Sequence, residues 1–327
     1  MKPSFHHRLI NNQYEDPGLY IRMIREKRAV LFDAGDLRSL MPADIMKITN
    51  VFVTHTHIDH FIGFDTLLRI LLRRDIPLRV YGPENIIACI EGKLRGYTWN
   101  VIEEYPLKIE VFRVAGGEIR HASFYAEEGF QRIDRDTQRF EGTLVKEAPF
   151  TVRAVNLSHG TPCLGFSLEE EFHINIDKAA LTKIGLSVGP WLGELKMMIR
   201  GSVSLDTKLK VDGREFRLSD LAHIARITEG QKVSYITDIS PGEENISKVI
   251  EFVTGSDTFY CEAYFLHEDL ERAVERHHLT ARITGIIARK AGVKNLVLVH
   301  TSPKYRERPG VIETEAIREF RTDAREL

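Results

Sequence analysis

The sequence predicts an α/β protein built as one large domain. Its 327 residues are 43% hydrophobic and 28% charged, an ordinary globular balance with enough apolar material for a sizeable core. Short runs rich in β-branched and aromatic residues alternate with segments whose apolar positions recur at helical spacing, the pattern of layered strands and helices. Neither a repeat at a solenoid period nor a low-complexity tract interrupts it.

In chain order, the first half reads as strands at 19–24, 29–32, 51–54, 78–81, 109–114 and 150–156. Two helices lie between them. One is 65–74 (DTLLRILLRR), apolar at helical spacing with a basic end; the other runs from 83 to 93 behind a Gly-Pro turn. The second half opens with a strand at 164–168 and changes character at the acidic run 169–171. The chain beyond it is polar and helix-prone to about 199, contains the turn Gly189-Pro190, and ends in a basic stretch with a hairpin turn at Asp212-Gly213. This segment, about 172–217, reads as an arm inserted into the main domain and projecting from it. Regular alternation resumes with strand 232–237, helix 246–254, strand 258–261, helix 279–291 and strand 296–299.

The formal net charge of −2 offers no global basic field for nucleic acid, so any polyanion site must be a local patch. Arg73, Arg74, Lys196, Arg200, Lys208, Lys210, Arg214 and Arg217 are the candidates for it, against the ordinary reading of a solvated face. Cys89, Cys163 and Cys261 are odd in number and lack CxxC spacing, which argues against a disulfide framework and a cysteine zinc site; they read as buried small hydrophobes. The polar opening MKPSFHHRLINNQY has no apolar signal-peptide core and no apolar run reaches membrane-spanning length, so a cytoplasmic protein is expected. His6 and His7 could bind metal as a pair but read as flexible terminal residues, and His121, His173, His223 and His267 lack ligand spacing.

The strongest local signal is VFVTHTHIDH, an apolar strand delivering His55, His57, Asp59 and His60 into the loop before a helix. Residues two apart on an extended segment face the same way, so His55 and His57 can grip one ion, while Asp59 and His60, past the bend, can face a second. Imidazole with carboxylate suits zinc, with manganese, iron or cobalt fitting the same donor set. Four ligand-type residues within six positions, directly after a buried strand, set this apart from surface histidines on a polar loop.

HTHIDH resembles the HxHxDH motif of metallo-β-lactamase-fold hydrolases. That resemblance implies a four-layer αβ/βα sandwich with two metal ions at one edge of its sheets, and further ligands at later strand ends. His159 in NLSHGTPCLGF, Asp238 in SYITDIS and His300 in LVLVHTS stand in those places. The implied sets are His55, His57 and His159 for one ion and Asp59, His60 and His300 for the other, with Asp238 between. Since ligands from His55 to His300 must meet, one fold gathers almost the whole chain. Asp33 in LFDAGD resembles the superfamily's early acidic turn, which implies that it orients a ligand histidine. An ordinary strand-capping turn is the equal alternative.

Within the superfamily the chain is most similar to ribonuclease Z, the tRNA 3′-end endonuclease. DKAALTKIGLSVGPWLGELKMMIRG resembles that family's tRNA-gripping arm, Glu262 in CEAYF the Glu of its His-Glu-Ala-Thr motif, His278 in HLTA its His-Ser-Thr motif, and HTSPKYR its His-x-Ser-x-Arg-Tyr ending, with Lys304 for the arginine. The early loop DAGDLRSL, Thr237-Asp238-Ile239 for Gly-Asp-Thr, and Cys261 and Tyr264 for His and Thr depart from the family pattern. The resemblance implies a phosphodiesterase that cuts RNA at tRNA 3′ trailers with a metal-bridged hydroxide, acting as a homodimer. Asp59, His278 and Glu262 would be catalytic, with His278 donating a proton to the leaving oxygen; the plainer reading of His278 is a polar residue at a helix start. The alternatives are a hydrolase of the same fold acting on a small phosphodiester or other ester, and an inactive metal-stabilised binding protein. The latter has no need of an open metal position.

Overall fold

The computed structural model describes residues 4–24 and 26–322. In the first half of the chain, Phe5–Leu9 (β1), Leu19–Met23 (β2), Ala29–Phe32 (β3), Ile48–Phe52 (β4), Leu78–Gly82 (β5), Lys108–Ala115 (β6), Glu118–Tyr125 (β7) and Arg132–Arg139 (β8) form one eight-stranded sheet in that order. Its centre, β3 to β6, is parallel, and its flanks are antiparallel. The central strands are almost wholly apolar, as parallel strands covered on both faces must be. The chain then adds Thr143–Glu147 (β9), Phe150–Ser158 (β10), Pro162–Glu170 (β11), Phe172–Ile176 (β12), Lys208–Val211 (β13), Arg214–Arg217 (β14), Ala225–Glu229 (β15), Lys232–Ile236 (β16), Thr258–Glu262 (β17) and Leu296–Val299 (β18). A second, six-stranded sheet has the order β18-β17-β16-β11-β10-β9. Phe32 and Phe52 of the first sheet meet Phe166 of the second at ring separations of 5.4 and 5.7 Å, and Tyr235 packs on Phe32 at 5.9 Å.

Two compact units result. Among the described residues the larger comprises Phe5–Val145, Val152–Leu168 and the chain from Lys232 onward, the smaller Lys146–Thr151 and Glu169–Gln231. The smaller unit has a core of its own, in which Leu181, Leu192, Leu195, Leu209, Leu218 and Leu221 are buried. Its two longer helices are Lys178–Lys183, capped by Asp177, and Trp191–Arg200 behind Gly189-Pro190; β13 and β14 form the hairpin expected at Asp212-Gly213, both residues having positive φ.

Strands β3 and β18 have the bounds the sequence predicts. Other expectations need correction. The segment near His6 and His7 is strand β1, with the His7 Nδ1 2.7 Å from the Tyr260 hydroxyl, so the pair is neither flexible nor metal-binding in geometry: successive strand residues point to opposite faces. The helix expected over 65–74 is Phe64–Leu71, because Arg74 turns inward. Its buried guanidinium donates to the carbonyls of Ile48 (2.5 Å), Met46 (3.2 Å) and Ile76 (3.0 Å), so Arg74 staples the sheet and does not face phosphate. Burial pulls its pKa down to about 10. Arg200 is likewise occupied, lying 4.7 Å over the Phe172 ring and donating to the Phe172 carbonyl at 2.9 Å.

The early loop and the short helix Ile58–Phe61 lock together through two glycines. Gly63 N donates to the Ala34 carbonyl and Ala34 N to that of His60, both at 2.8 Å. A Cβ on Gly63 would lie 2.1 Å from the Gly35 carbonyl oxygen, and one on Gly35 2.5 Å from that of Asp59. Backbone cannot yield there as a side-chain end can. Gly63→Ala is therefore expected to destabilise the protein by about 1–3 kcal/mol, the usual cost of forced overpacking. Chemical denaturation of the two proteins measures it, and an unshifted midpoint would show that the loop gives way freely.

Candidate metal centre

Each predicted ligand stands where a strand stops, and the structure brings all of them together. Strand β4 ends at Phe52; Val53, Thr54 and His55 follow it, His57 is the extended residue at the start of the short helix Ile58–Phe61, and Asp59 and His60 lie within that helix. His159 follows β10, Asp238 follows β16 and His300 follows β18. Donor atoms of His55, His57, His159 and Asp238 lie within 4.8 Å of one another, as do those of Asp59, His60 and His300. Asp238 is the hub. Its Oδ2 is 3.3 Å from His55 Nε2 and 3.5 Å from the Nε2 atoms of His60 and His159, while its Oδ1 is 2.5 Å from His300 Nδ1. Asp59 Oδ2 is 3.2 Å from His300 Nε2 and 3.6 Å from His60 Nε2.

Partners on the far side of the rings set which nitrogen faces inward. His60 Nδ1 donates to Asp33 Oδ2 (2.8 Å), His159 Nδ1 to the His277 carbonyl (2.7 Å), and His55 Nδ1 to Thr54 Oγ (3.1 Å), which in turn donates to Asp33 (3.0 Å). The Nε2 lone pairs are then left for the centre. Buried His55 Nε2 and His60 Nε2 have no hydrogen-bond partner, an unfavourable state for imidazole nitrogens unless something electrophilic meets them. A cluster of histidine nitrogens around carboxylate oxygens is a hard-to-borderline donor set, and a divalent cation fits it.

No protein-family model matches the chain. Over 284 residues it is 29% identical to the ribonuclease Z of Deinococcus radiodurans, an alignment covering 85% of this chain and 83% of that protein. The chain is ribonuclease Z-like. Its fold is similar to that of the short form of human tRNase Z, with a TM-score of 0.56 at 17% identity over 91% of this chain and 93% of the other. The metallo-β-lactamase fold protein YhfI from Bacillus subtilis gives a TM-score of 0.56 at 15% identity, over 97% and 93%. Those likenesses make the layered sheets a metallo-β-lactamase fold.

Beside the centre of the ribonuclease Z-like chain lies a second arrangement. Buried Glu262, the last residue of β17, accepts the Ile239 N–H at Oε1 (2.7 Å) and the His278 Nδ1–H at Oε2 (2.8 Å). The His278 ring lies 4.8 Å from that of His159 and 5.6 Å from that of His300, and it stacks on Tyr264. Thr54, Tyr235 and Tyr264 are the participants that sequence reading did not assign. Thr54 carries a faint signal, a hydroxyl closing an apolar strand directly before a histidine; Tyr235 has none, being an aromatic in a strand like many others. His121 is paired with Glu110 (2.5 Å) and His267 with Thr280 (3.1 Å), away from the centre.

Electrostatics express how much the centre wants positive charge. Burial opposes a charge on His60, yet Asp238 and Asp33 outweigh it and push its pKa up to about 10; His300 is raised in the same way by Asp238 and Asp59. Burial, with the His60 charge added, drives His55 down to about 4. Asp238 stays well below the usual carboxylate range despite its burial, because His300 and His60 surround it. Asp33 should therefore matter through His60. Asp33→Asn is expected to weaken metal affinity about 10–100-fold, as loss of an outer carboxylate on a ligand histidine does. Competition against a chelator reads it, and unchanged affinity would reduce Asp33 to a strand-capping turn.

Proposed function

We propose that the chain is a dinuclear metallohydrolase that cuts RNA phosphodiesters, tRNA 3′ trailers being the substrate its resemblance favours. The convergence of the His and Asp donors on Asp238 carries this reading. His55, His57 and His159 would hold one ion, Asp59, His60 and His300 the other, with Asp238 shared. Glu262 also lies near Asp238, His278 and His300, but both its oxygens are committed to Ile239 and His278, so it is left out of the ligand set. Zinc suits the donors best, with manganese, iron or cobalt as alternatives. Such ions supply Lewis-acid polarisation of the phosphoryl oxygens and a water acidified towards neutral pH. The chain's own part is to move protons and orient groups. Glu262 accepts the His278 Nδ1–H and so supports the imidazolium form, whose Nε2–H passes its proton to the leaving alkoxide oxygen and leaves the ring neutral, while Asp59 orients the attacking side of the centre.

The smaller unit is proposed as the arm that grips the extended polyanion, its exposed Lys210, Arg214 and Arg217 meeting phosphates. Lys208 is paired with Glu215 (2.8 Å) and Arg217 lies 3.9 Å from Asp206, exposed pairs that bind weakly in water and exchange readily for phosphate. The same reading makes the protein a cytoplasmic homodimer, and among the described residues no helix is long and apolar enough to cross a membrane. The internal pairing of the arm's cations favours one second reading, a hydrolase of the same centre acting on small phosphodiesters.

Elemental analysis with anomalous scattering should find two ions per chain, and Asp59→Ala or Asp238→Ala should abolish hydrolysis of bis(p-nitrophenyl) phosphate while leaving the circular dichroism spectrum intact. One ion at full loading would end the dinuclear assignment. Replacing Lys210, Arg214 and Arg217 together by Ala should weaken precursor-tRNA binding, the slope of log affinity against log salt falling by about 0.7–0.9 for each phosphate-binding cation removed. Hydrolysis of bis(p-nitrophenyl) phosphate should not change. A native protein that neither binds nor cuts precursor tRNA at low salt would leave the small-substrate reading in possession.

A further inference from the structure

We infer that Tyr264 is a positioning residue for the proton transfer, fixing the plane of the His278 imidazole that Glu262 fixes at one atom. The inference rests on the reading of His278 as the proton donor. The two rings lie face to face, their centroids 4.0 Å apart and their planes 8° from parallel. The neighbouring rings meet His278 at steep angles: Phe265 at 67° and 6.2 Å, and His159 and His300 both at 55°.

A single hydrogen bond cannot orient an imidazole. The bond from His278 Nδ1 to Glu262 Oε2 pins one atom, but the terminal torsion of histidine is broad and lets the ring swing about that bond. Stacking on Tyr264 removes that freedom, so Nε2 is left with one direction to point. Tyr264 is well placed to impose it, because its backbone is tied to both loops of interest. Its N–H donates to the Leu279 carbonyl (3.2 Å), next to His278, and its carbonyl accepts from Ser302 N (3.1 Å), two residues past His300. Its ring also lies 5.1 Å from the His300 ring. One partly buried side chain thus sets the spacing between the proton donor and a proposed metal ligand. Misplacing a reacting group by about 1 Å costs on the order of 10²-fold in rate.

The test compares Tyr264→Leu, Tyr264→Phe, His278→Ala and the double variant Tyr264→Leu with His278→Ala, each metal-loaded, on two phosphodiesters. A dinucleotide has an alkoxide leaving group that needs a proton; bis(p-nitrophenyl) phosphate has a nitrophenolate that does not. His278→Ala should lower kcat on the dinucleotide about 10²–10⁴-fold and spare the nitrophenyl ester. Tyr264→Leu should lower kcat on the dinucleotide about 10–100-fold with KM unchanged, spare the nitrophenyl ester, and lower kcat no further in the double variant. Tyr264→Phe, which keeps the ring and loses only the hydroxyl, should retain turnover. In the metal-free protein, the upfield ring-current shift of the His278 ring protons should persist in Tyr264→Phe and vanish in Tyr264→Leu. If His278→Ala discriminates between the esters and Tyr264→Leu does not, or the two losses multiply in the double variant, the role of Tyr264 is overturned and that of His278 stands. If His278→Ala harms both esters equally, the proton-donor reading falls and takes this inference with it.

Discussion

The carboxylate of Asp33 is the contact on which the rest of the centre depends. It lies fully buried just past β3, in a left-handed conformation at φ 55°, and every donor near it comes from a different part of the fold. Thr54 offers its N–H (2.7 Å) and its hydroxyl from just past β4, His60 its Nδ1–H from the helix Ile58–Phe61, and Tyr235 its hydroxyl (3.0 Å) from β16 of the other sheet. An uncompensated buried carboxylate would cost several kcal/mol; one with this many donors instead becomes a rigid pin between the sheets. His55 hangs on the same pin at one remove, through Thr54. The two histidines that the sequence places five apart are thereby held by one oxygen pair rather than by separate supports.

What those supports aim at is a second buried carboxylate, Asp238, and here the balance is reversed. Asp33 meets donors; Asp238 meets imidazole nitrogens that must either carry protons or face a cation. The backbone is bent for the purpose. Asp33, Asp238 and His300 all have left-handed φ immediately beyond strands, a conformation that costs a non-glycine residue on the order of 1–3 kcal/mol where it is strained. The bends at Asp238 and His300 bring the two side chains together, Asp238 Oδ1 lying 2.5 Å from His300 Nδ1. Asn245 adds to the convergence by accepting from Ser158 N and donating to the carbonyls of Ser158 and Ser240, which clips the loop of His159 to that of Asp238.

The proposed ligands are legible in the sequence because each is a polar residue at or just past the point where an apolar run stops. Strands β3 and β18 are legible for the same reason, being apolar runs with sharp polar ends. By contrast β8, RIDRDTQR, offers almost no apolar face: it is an edge strand whose exposed charges guard against pairing with other chains, and charge hides the alternation that would reveal it. Strand β1 is hidden because His6 and Arg8 lie on its exposed side and mask a short alternation. Arg74 and Arg200 read as surface cations, since nothing in a basic residue's neighbours tells that its guanidinium will cap carbonyls inside. The segment beginning at Phe172 reads as helix-prone, yet it starts as β12, paired with β15 far along the chain; such pairing is set by tertiary register and not by local propensity.

Glu262 shows why the site could not be fully reconstructed from its motifs. As a letter in CEAYF it suggests an acid or a ligand, but its oxygens are committed to the Ile239 N–H and the His278 Nδ1–H. The first of these bonds grips the residue directly after Asp238, so one carboxylate fixes the backbone at the hub and the ring of the proposed proton donor together. Thr284 adds a bond to the Glu262 carbonyl (2.6 Å) from the helix Ala281–Lys290, which starts just beyond His278. Hub, carboxylate and imidazole therefore form a closed loop of hydrogen bonds and covalent chain, in which none can shift without moving the others. Coupling of that kind is a property of partners rather than of residue types, and it arises only when the strands have been laid side by side.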